Sequence, residues 1–390
     1  MSHSQQIRGM AWDHPRALNP LNAISAEWGH GRDLSVIWEA RPLKDFEDQP
    51  LEELATTYDL VLMDYPFVGT AAQSGLIVPV DDWVDADYLR DQAEHTVGLS
   101  YHSYSWSGHQ WALAIDAATQ VSAVRTDLLN ATGLEHPPQT WSGVAELTRE
   151  LKDGPLRIAI PLNPNHAYCT FLSVGLAIHG TDFWPKGEKV HRETALMALD
   201  FLTDLAPGLH PMSKSSDPIA ISDRMAESDE IPFVPLMFGY SNYSRPGFRK
   251  HSLRFGNAPR GELGHIGSVL GGVGIALSAL SPQRELAAEL ARHLVSADVQ
   301  SGLYVRSGGQ PGHGVAWDSR TANDLVDNFF FATRETMNQA FQRPRVPGHR
   351  QFQEEAGILV NRYIWNRDRD AESCLDSFTG LADRLLGRWE

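Results

Sequence analysis

The sequence has only two cysteines, Cys169 and Cys374, among 390 residues. Two cysteines cannot supply a zinc site built from C-x-x-C pairs, and they exclude a small scaffold held by several disulfides. A single disulfide stays open. No stretch of about 18 consecutive apolar residues occurs, so no membrane-spanning helix is expected. Internal repeats and low-complexity segments are also missing.

Positive charge is scarce as well. Lysine and arginine total 33 against 49 aspartates and glutamates, and the formal net charge is −16. An acidic surface repels phosphate backbones, so nucleic acid is not expected as a partner. The opening MSHSQQIRGMAW lacks the basic and apolar segments of a secretory signal peptide. We therefore expect a cytoplasmic protein for the sequence as written, or a periplasmic one if a leader was removed from it.

What is present indicates a folded protein of two domains. The length exceeds what one ordinary core supports, and the composition of 42% hydrophobic and 21% charged residues is typical of globular proteins. Eleven tryptophans stand out. An indole offers a flat apolar face and one N–H donor, which suits sugars and other ring ligands, although most tryptophans belong to cores.

The first third of the chain alternates between strand and helix patterns. Strands are predicted at 7–12, 34–40 and 60–63, with helices at about 15–28 and 45–57 between them. This alternation predicts βαβ units and a parallel sheet. Ligands of such sheets bind beyond the carboxyl ends of the strands, so the candidate loops are 12–14, 39–41 and 64–65.

The rest of the chain continues the α/β pattern. Further extended segments are predicted up to about 114 and at 119–125, 156–162 and 230–238, with helices at 127–133, 140–154 and 191–207. A Gly-rich apolar stretch at 264–280 precedes an amphipathic helix. The residues after 318 are predicted to be mainly helical.

Three segments, taken in order, resemble a known family. They are WALAIDAATQVSAVRTDLLNATGLEHPPQTWSGVAELTREL, LGGVGIALSALSPQRELAAELARHLVSADVQ and RSGGQPGHGVAW. Their order and spacing are similar to those of family-1 extracellular solute-binding proteins of ABC transporters, which include maltose- and oligosaccharide-binding members. The order of segments from Ile7 to about Trp317 fits this family.

The resemblance implies a periplasmic-binding-protein type II fold, with two α/β lobes, hinge strands and a ligand cleft between the lobes. The N-terminal lobe would comprise 1–115 with about 264–315, and the C-terminal lobe 116–263 with about 316–390. Crossings are expected near 114–119, 263–268 and 312–318, and lobe closure would be a hinge motion. The implied function is binding of a small polar ligand, a saccharide or polyol, without a cofactor, and with an ABC permease as partner if the protein is exported.

Candidate ligand-binding residues follow from the strand-end loops, from the acidic cleft position that the resemblance implies for Asp116, and from glycines that permit close backbone approach. The set is Trp12, Asp13, His14, Asp64, Tyr65, Asp116, Tyr240, Asn242, Tyr243, Gly271, Gly272 and Arg306.

Each candidate also has a structural interpretation. Asp13 is suited to cap a helix that Pro15 begins. Asp64 would then form a turn, Asp116 a hinge, and the glycines a tight packing contact. Residues 240–245 would form a surface turn, and Arg306 would be the solvated end of a helix.

The sequence gives little indication of a catalytic nucleophile or a metal site. His166 and Cys169 are three residues apart, a spacing more typical of a core helix than of a nucleophile with its base. No metal site is expected, since His14, His102 and His109 are scattered and no H-E-x-x-H motif occurs.

A second hypothesis is a cytoplasmic enzyme built on the same fold, with Asp13, His14 and Asp64 as candidates for general acid–base chemistry. The sequence contains no catalytic signature, dinucleotide fingerprint or P-loop in its support. A soluble sensor is a third, weaker alternative.

Overall fold

A computed structural model describes residues 5–42 and 50–389 of the chain. Its strands are β1 Gln5–Trp12, β2 Leu34–Arg41, β3 Leu60–Asp64, β4 Ile77–Val78, β5 Ser105–Trp106, β6 His109–Gln110, β7 Leu113–Val124, β8 Phe233–Phe238, β9 Arg254–Gly256 and β10 Leu270–Ser278. Its helices are α1 Pro15–Gly29, α2 Leu51–Thr57, α3 Val68–Ser74, α4 Ala86–Glu94, α5 Thr126–Ala131, α6 Trp141–Leu151, α7 Pro164–His179, α8 Arg192–Leu205, α9 Pro218–Glu227, α10 Arg284–Leu294, α11 Ala297–Val299, α12 Gly314–Asp318, α13 Arg320–Asp324, α14 Phe329–Gln339, α15 His349–Asn366 and α16 Ala371–Leu385. Most of the predicted helix 45–57 is described as α2, and its residues 45–49 lie outside the described part.

The chain forms two compact units. Unit 1 comprises Met1–Ala118 and Gly271–Leu325, and unit 2 comprises Thr119–Leu270 and Val326–Glu390. The chain passes from one unit to the other three times, and the first passage lies within β7. Each unit is therefore assembled from two separate stretches of the sequence.

Unit 1 is built on the predicted parallel βαβ arrangement. Strand β1 pairs in parallel with β2 and with β3, while β10 runs antiparallel to β3 and β4. Helix α1 turns one face into the core, with buried side chains at a helical spacing. The core of this unit includes Ile7, Met10, Leu21, Ile24, Ile275 and Leu290. The sequence prediction for the first three strands is confirmed.

Strand β7 is a continuous strand of 12 residues, all of them buried. The predicted separation into an extended segment up to about 114 and a second strand from 119 is wrong. Polar residues interrupt the apolar pattern here, but their side chains find partners inside the protein. The Thr119 hydroxyl lies 2.6 Å from that of Ser268, and the Gln120 side chain accepts from Ser173 at 2.6 Å.

Unit 2 packs helices around a short antiparallel sheet. Strands β8 and β9 both pair antiparallel with β7, and helices α7, α8, α15 and α16 surround an aromatic core. That core includes Phe171, Trp184, Phe352, Phe378 and Trp389.

The strand predicted at 156–162 is not formed. Its backbone N–H groups donate to acceptors in different parts of the chain, and only that of Ala159 reaches a strand, donating to the Phe233 carbonyl of β8 at 3.3 Å. The N–H of Arg157 donates to the Glu230 carbonyl at 2.9 Å, whereas that of Leu162 donates to the Ser213 carbonyl at 2.8 Å. A ladder requires successive residues of a single partner, so this segment is extended without being a strand.

Two further expectations concern membranes and disulfides. Among the described residues, no helix combines the length and apolar character needed to cross a membrane. Cys169 and Cys374 are both buried free thiols, so the disulfide left open by the sequence does not form.

Candidate functional site

The first candidate loop joins β1 to α1. His14 is the N-cap of the helix, and its Nδ1 accepts from the backbone N–H of Arg16 at 3.0 Å. The side chain of His14 is buried, whereas Asp13 is exposed and its backbone N–H donates to the Arg41 carbonyl at 2.7 Å. The interpretation of Asp13 as the helix cap is wrong, because His14 occupies that position. The Asp13 carboxylate instead lies on the surface of unit 1.

A second carboxylate lies at the same end of the sheet as the first. Gly9 and Met10 pair with Leu60 and Val61 in the parallel β1–β3 ladder, so Asp13, just past the end of β1, and Asp64, the last residue of β3, lie at the same end of the two strands. Asp64 pairs with Val273 of the neighbouring strand β10 and is partly exposed. Unit 1 thus brings two carboxylates to the same end of neighbouring strands. Both belong to the predicted set.

A buried ion pair lies behind this loop and involves Arg16, the second residue of α1. Arg16 donates through Nε to Asp116 Oδ2 at 2.7 Å and through Nη2 to Oδ1 of the same carboxylate. Both side chains are buried, and the Arg16 guanidinium lies 6.0 Å from the centre of the Trp12 ring. Burial raises the pKa of the Asp116 carboxyl, and the charge of Arg16 opposes that rise.

The predicted ligand contact of Asp116 therefore has a competing structural role. Both of its carboxylate oxygens accept from Arg16, so within unit 1 it holds the start of α1. Arg16 is not among the residues predicted from the sequence. Its position could have indicated burial, because Arg16 shares the helix face of Ala17, Leu21 and Ile24.

Gly272 adopts a backbone conformation in unit 1 that favours glycine. Its φ is +108°, and a Cβ atom there would lie 2.5 Å from the carbonyl oxygen of Asp116. A side chain would thus clash with strand β7, which supports the packing interpretation.

Among the other candidates, Gly271 is partly buried, Tyr65 is buried, and Arg306 is exposed.

The candidate loop of unit 2 follows β8 and contains a short 3₁₀ helix, Ser241–Ser244. Tyr240, Asn242 and Tyr243 are all buried. The Tyr243 hydroxyl donates to Asp223 Oδ1 at 2.7 Å, and Arg249 Nε donates to the same oxygen at 2.8 Å. Burial raises the pKa of Tyr243, and the hydrogen bond to Asp223 adds to the rise. Residues 240–244 are therefore not the surface turn considered above.

His166 and Cys169 lie in the core of unit 2, as their spacing indicates. His166 Nδ1 is 2.8 Å from Asn163 Oδ1, and burial lowers the pKa of His166 to about 3. Arg343 donates to the sulfur of Cys169 at 3.7 Å. A histidine that stays neutral and is held by an amide is a packing residue with an internal hydrogen bond.

The candidates thus fall into one group in each unit. Unit 1 places Trp12, Asp13, His14 and Asp64 at the ends of adjacent strands, and unit 2 places Tyr240, Asn242 and Tyr243 in one turn after β8. Contact of any of these residues with a ligand stays a prediction. The same holds for the cleft, the predicted lobe limits and the contact assigned to Gly271 and Arg306.

Comparison with known proteins decides the family. A family model described as a bacterial extracellular solute-binding protein matches residues 47–312, more than half of the chain. The chain belongs to this family. The resemblance carried by the three sequence segments is confirmed.

Solved structures of solute-binding proteins share the fold over almost the whole chain. Maltose-bound MalE3 of T. maritima has a TM-score of 0.85 at 19% identity, with 97% of this chain and 100% of that chain covered. A solute-binding protein of Agrobacterium radiobacter K84 in complex with ribitol has a TM-score of 0.81 at 19% identity, with 98% of each chain covered. One from Thermotoga lettingae TMO with bound α-D-tagatose has a TM-score of 0.81 at 18% identity, with 98% and 100% covered. The predicted α/β solute-binding fold is confirmed.

Proposed function

We propose that this solute-binding protein binds a saccharide or polyol as the receptor component of an ABC transporter. Family membership over residues 47–312 is the observation that carries the proposal. The three similar structures support the ligand class, since they contain bound maltose, ribitol and tagatose. The extracellular description of the family supports a periplasmic location and an ABC permease as partner.

The chemistry of the unit 1 loop suits a ligand rich in hydroxyl groups. Asp13 and Asp64 offer acceptors for sugar hydroxyls, and a carboxylate forms stronger hydrogen bonds than a neutral acceptor. Trp12 is the aromatic candidate of unit 1 for packing against a sugar ring, and unit 2, taken by itself, offers the aromatic ring of Tyr240 and the amide of Asn242.

The remaining candidates act as supports in this proposal. His14 caps α1, Asp116 holds Arg16, and Tyr243 holds Asp223, so these side chains would position the loops. The enzyme hypothesis built on Asp13, His14 and Asp64 gains no specific support from the described residues. Binding without chemistry is therefore the function we put forward.

A thermal-shift panel tests the ligand class. Maltose, ribitol and tagatose are added in excess to the full chain, alongside an amino acid and an aromatic acid as controls. A ligand at about 100 times its Kd stabilises the folded state by about 2.7 kcal/mol. We expect at least one saccharide or polyol to raise the melting temperature. A shift only with the acids would overturn the proposed ligand class.

The carboxylates are tested separately by calorimetric titration with the ligand that the panel selects. Asp13→Asn and Asp64→Asn should each weaken binding by about tenfold, because each removes a charge-assisted hydrogen bond. The melting temperature of the Asp13→Asn protein should barely change, since Asp13 is exposed. The matched control is Asp87→Asn, which alters a carboxylate that is 86% exposed elsewhere in unit 1. Equal affinities of the Asp13 and Asp87 variants would remove Asp13 from the site.

A further inference from the structure

Three side chains of unit 1 meet away from the candidate ligand loops. Asp91 lies in the last turn of α4, His95 follows that helix as its C-cap, and His313 is the N-cap of α12. One donor atom from each residue lies within 4.8 Å of the other two. Among the residues that the structure describes, this is the one such group of histidine, cysteine and carboxylate side chains.

We propose that Asp91, His95 and His313 form a binding site for a divalent transition metal ion, with Zn²⁺ as the best match. Two imidazoles and one carboxylate are a common Zn²⁺ ligand set, and a water molecule would complete a tetrahedron. This site is independent of the proposed ligand function and of the residues assigned to it.

The buried histidine is the strongest observation. His313 is only 2% exposed, and its Nε2 atom makes no hydrogen bond of normal geometry with any residue that the structure describes. That atom faces Asp91 Oδ2 at 3.5 Å. A buried polar atom without a hydrogen bond costs stability unless another group satisfies it. A metal ion held jointly with Asp91 would do so.

The backbone holds the three residues in place. The Gly314 N–H donates to the His95 carbonyl at 2.6 Å, and Thr96 forms an antiparallel bridge with His313. A Cβ atom at Gly314 would lie 2.7 Å from the same carbonyl oxygen, so only glycine permits this approach. Asp91 and His95 are four residues apart and share one helix face. The site is thus assembled by the fold before any ion enters.

Small side-chain movements suffice to close the site. With Zn–N bonds of about 2.0 Å, tetrahedral ligand atoms lie about 3.3 Å apart. Asp91 and His95 are 47% and 46% exposed, so their side chains can rotate and an ion can reach them. The His95 and His313 rings are stacked, with centres 5.3 Å apart.

Protonation is compatible with metal binding. His313 Nδ1 accepts weakly from the Val315 N–H at 3.3 Å, and coordination through Nε2 would transfer the ring proton to Nδ1 and end this contact. One long hydrogen bond is a small loss against a transition-metal bond.

The site would join two separate stretches of the sequence. Asp91 and His95 belong to the first segment of unit 1, and His313 belongs to the second. A bound ion would therefore cross-link these segments and stabilise unit 1 in addition to filling the site.

Metal titration of the full chain tests the proposal. After treatment with EDTA, Zn²⁺ affinity is measured by competition with a chromophoric chelator, and Co²⁺ is used for its visible absorption bands. We expect one Zn²⁺ per chain, a tetrahedral Co²⁺ spectrum and a rise in melting temperature with Zn²⁺. His313→Gln, His95→Gln and Asp91→Asn should each weaken Zn²⁺ binding by at least about tenfold.

A matched control separates a built site from casual binding to surface histidines. His109 lies 3.1 Å from Asp81 and is 54% exposed, and no third ligand joins the two among the described residues, so His109→Gln should leave the Zn²⁺ affinity unchanged. Circular dichroism checks that each variant folds, and Asp91→Asn serves if the buried His313 variant does not. Absence of stoichiometric binding, or an equal loss in the His109 and Asp91 variants, would overturn the proposal.

Discussion

The candidate loops of the two units are supported by different kinds of polar contact. In unit 1, both partners of the Arg16–Asp116 ion pair are buried. In unit 2, Tyr243 is buried, but its partner Asp223 is 41% exposed and also binds Arg249. Water therefore screens the second support and not the first. Polar residues after a strand look alike in a sequence, yet the energy they contribute depends on how far their partners are buried.

The largest expected effect comes from removing one partner of the buried Arg16–Asp116 ion pair. Asp116→Asn leaves the Arg16 guanidinium buried without a counter-charge, and we expect a loss of about 3–5 kcal/mol in the free energy of unfolding. Arg16→Met should cost less, because Asp116 can take up a proton whereas arginine stays charged. Denaturant unfolding followed by tryptophan fluorescence measures both values.

The double variant Arg16→Met with Asp116→Leu is the control for this prediction. It removes both charges and should recover most of the stability lost by Asp116→Asn. If Asp116→Asn costs no more than the loss of a single exposed hydrogen bond, the distinction between the two units fails.

Acid should expose a second difference, since two buried histidines of unit 2 lie beside Arg343, whereas the buried His313 of unit 1 faces the carboxylate of Asp91. Burial lowers the pKa of His166 and of His349 to about 3, and the charge of Arg343 adds to the shift in both cases. An unfolded histidine has a pKa of about 6.5. Between these values the unfolded chain binds more protons, so stability falls as the pH falls from about 6.5 towards 3.

Each histidine should contribute a slope of about 1.4 kcal/mol per pH unit within that window. His349→Gln removes one of the two contributions, so its unfolding free energy should depend less steeply on pH than that of the original protein. His136→Gln, at an exposed histidine of unit 2, is the control and should leave the slope unchanged. Parallel curves for His349→Gln and the original protein would show that His349 titrates normally.

Much of the fold was predictable because its signals are local. Hydrophobic periodicity located β1, β2 and β3 and the helix after Pro15, and three ordered segments indicated the family. The error in β7 arose from polar residues whose partners are distant in sequence, as with Asp116 and Arg16, which are 100 residues apart. Strand ends indicated where polar loops lie, but not that Asn242 and Tyr243 would be buried. The Asp91–His95–His313 group was missed because its third member comes from the other segment of unit 1.

The smallest expected effect is at Tyr243, where the support of the unit 2 loop is partly solvated. Tyr243→Phe removes the hydrogen bond to Asp223 but keeps the ring, and Arg249 still satisfies the carboxylate. We expect a loss of about 1 kcal/mol in the unfolding free energy. Tyr88→Phe in unit 1 is the matched control, since it removes a phenol hydrogen bond of the same 2.7 Å length to the Arg292 carbonyl. Similar costs for the two variants would show that Tyr243 contributes an ordinary hydrogen bond. A loss at Tyr243 as large as that of Asp116→Asn would mean that water does not screen Asp223, and the contrast between the units would then rest on the histidines alone.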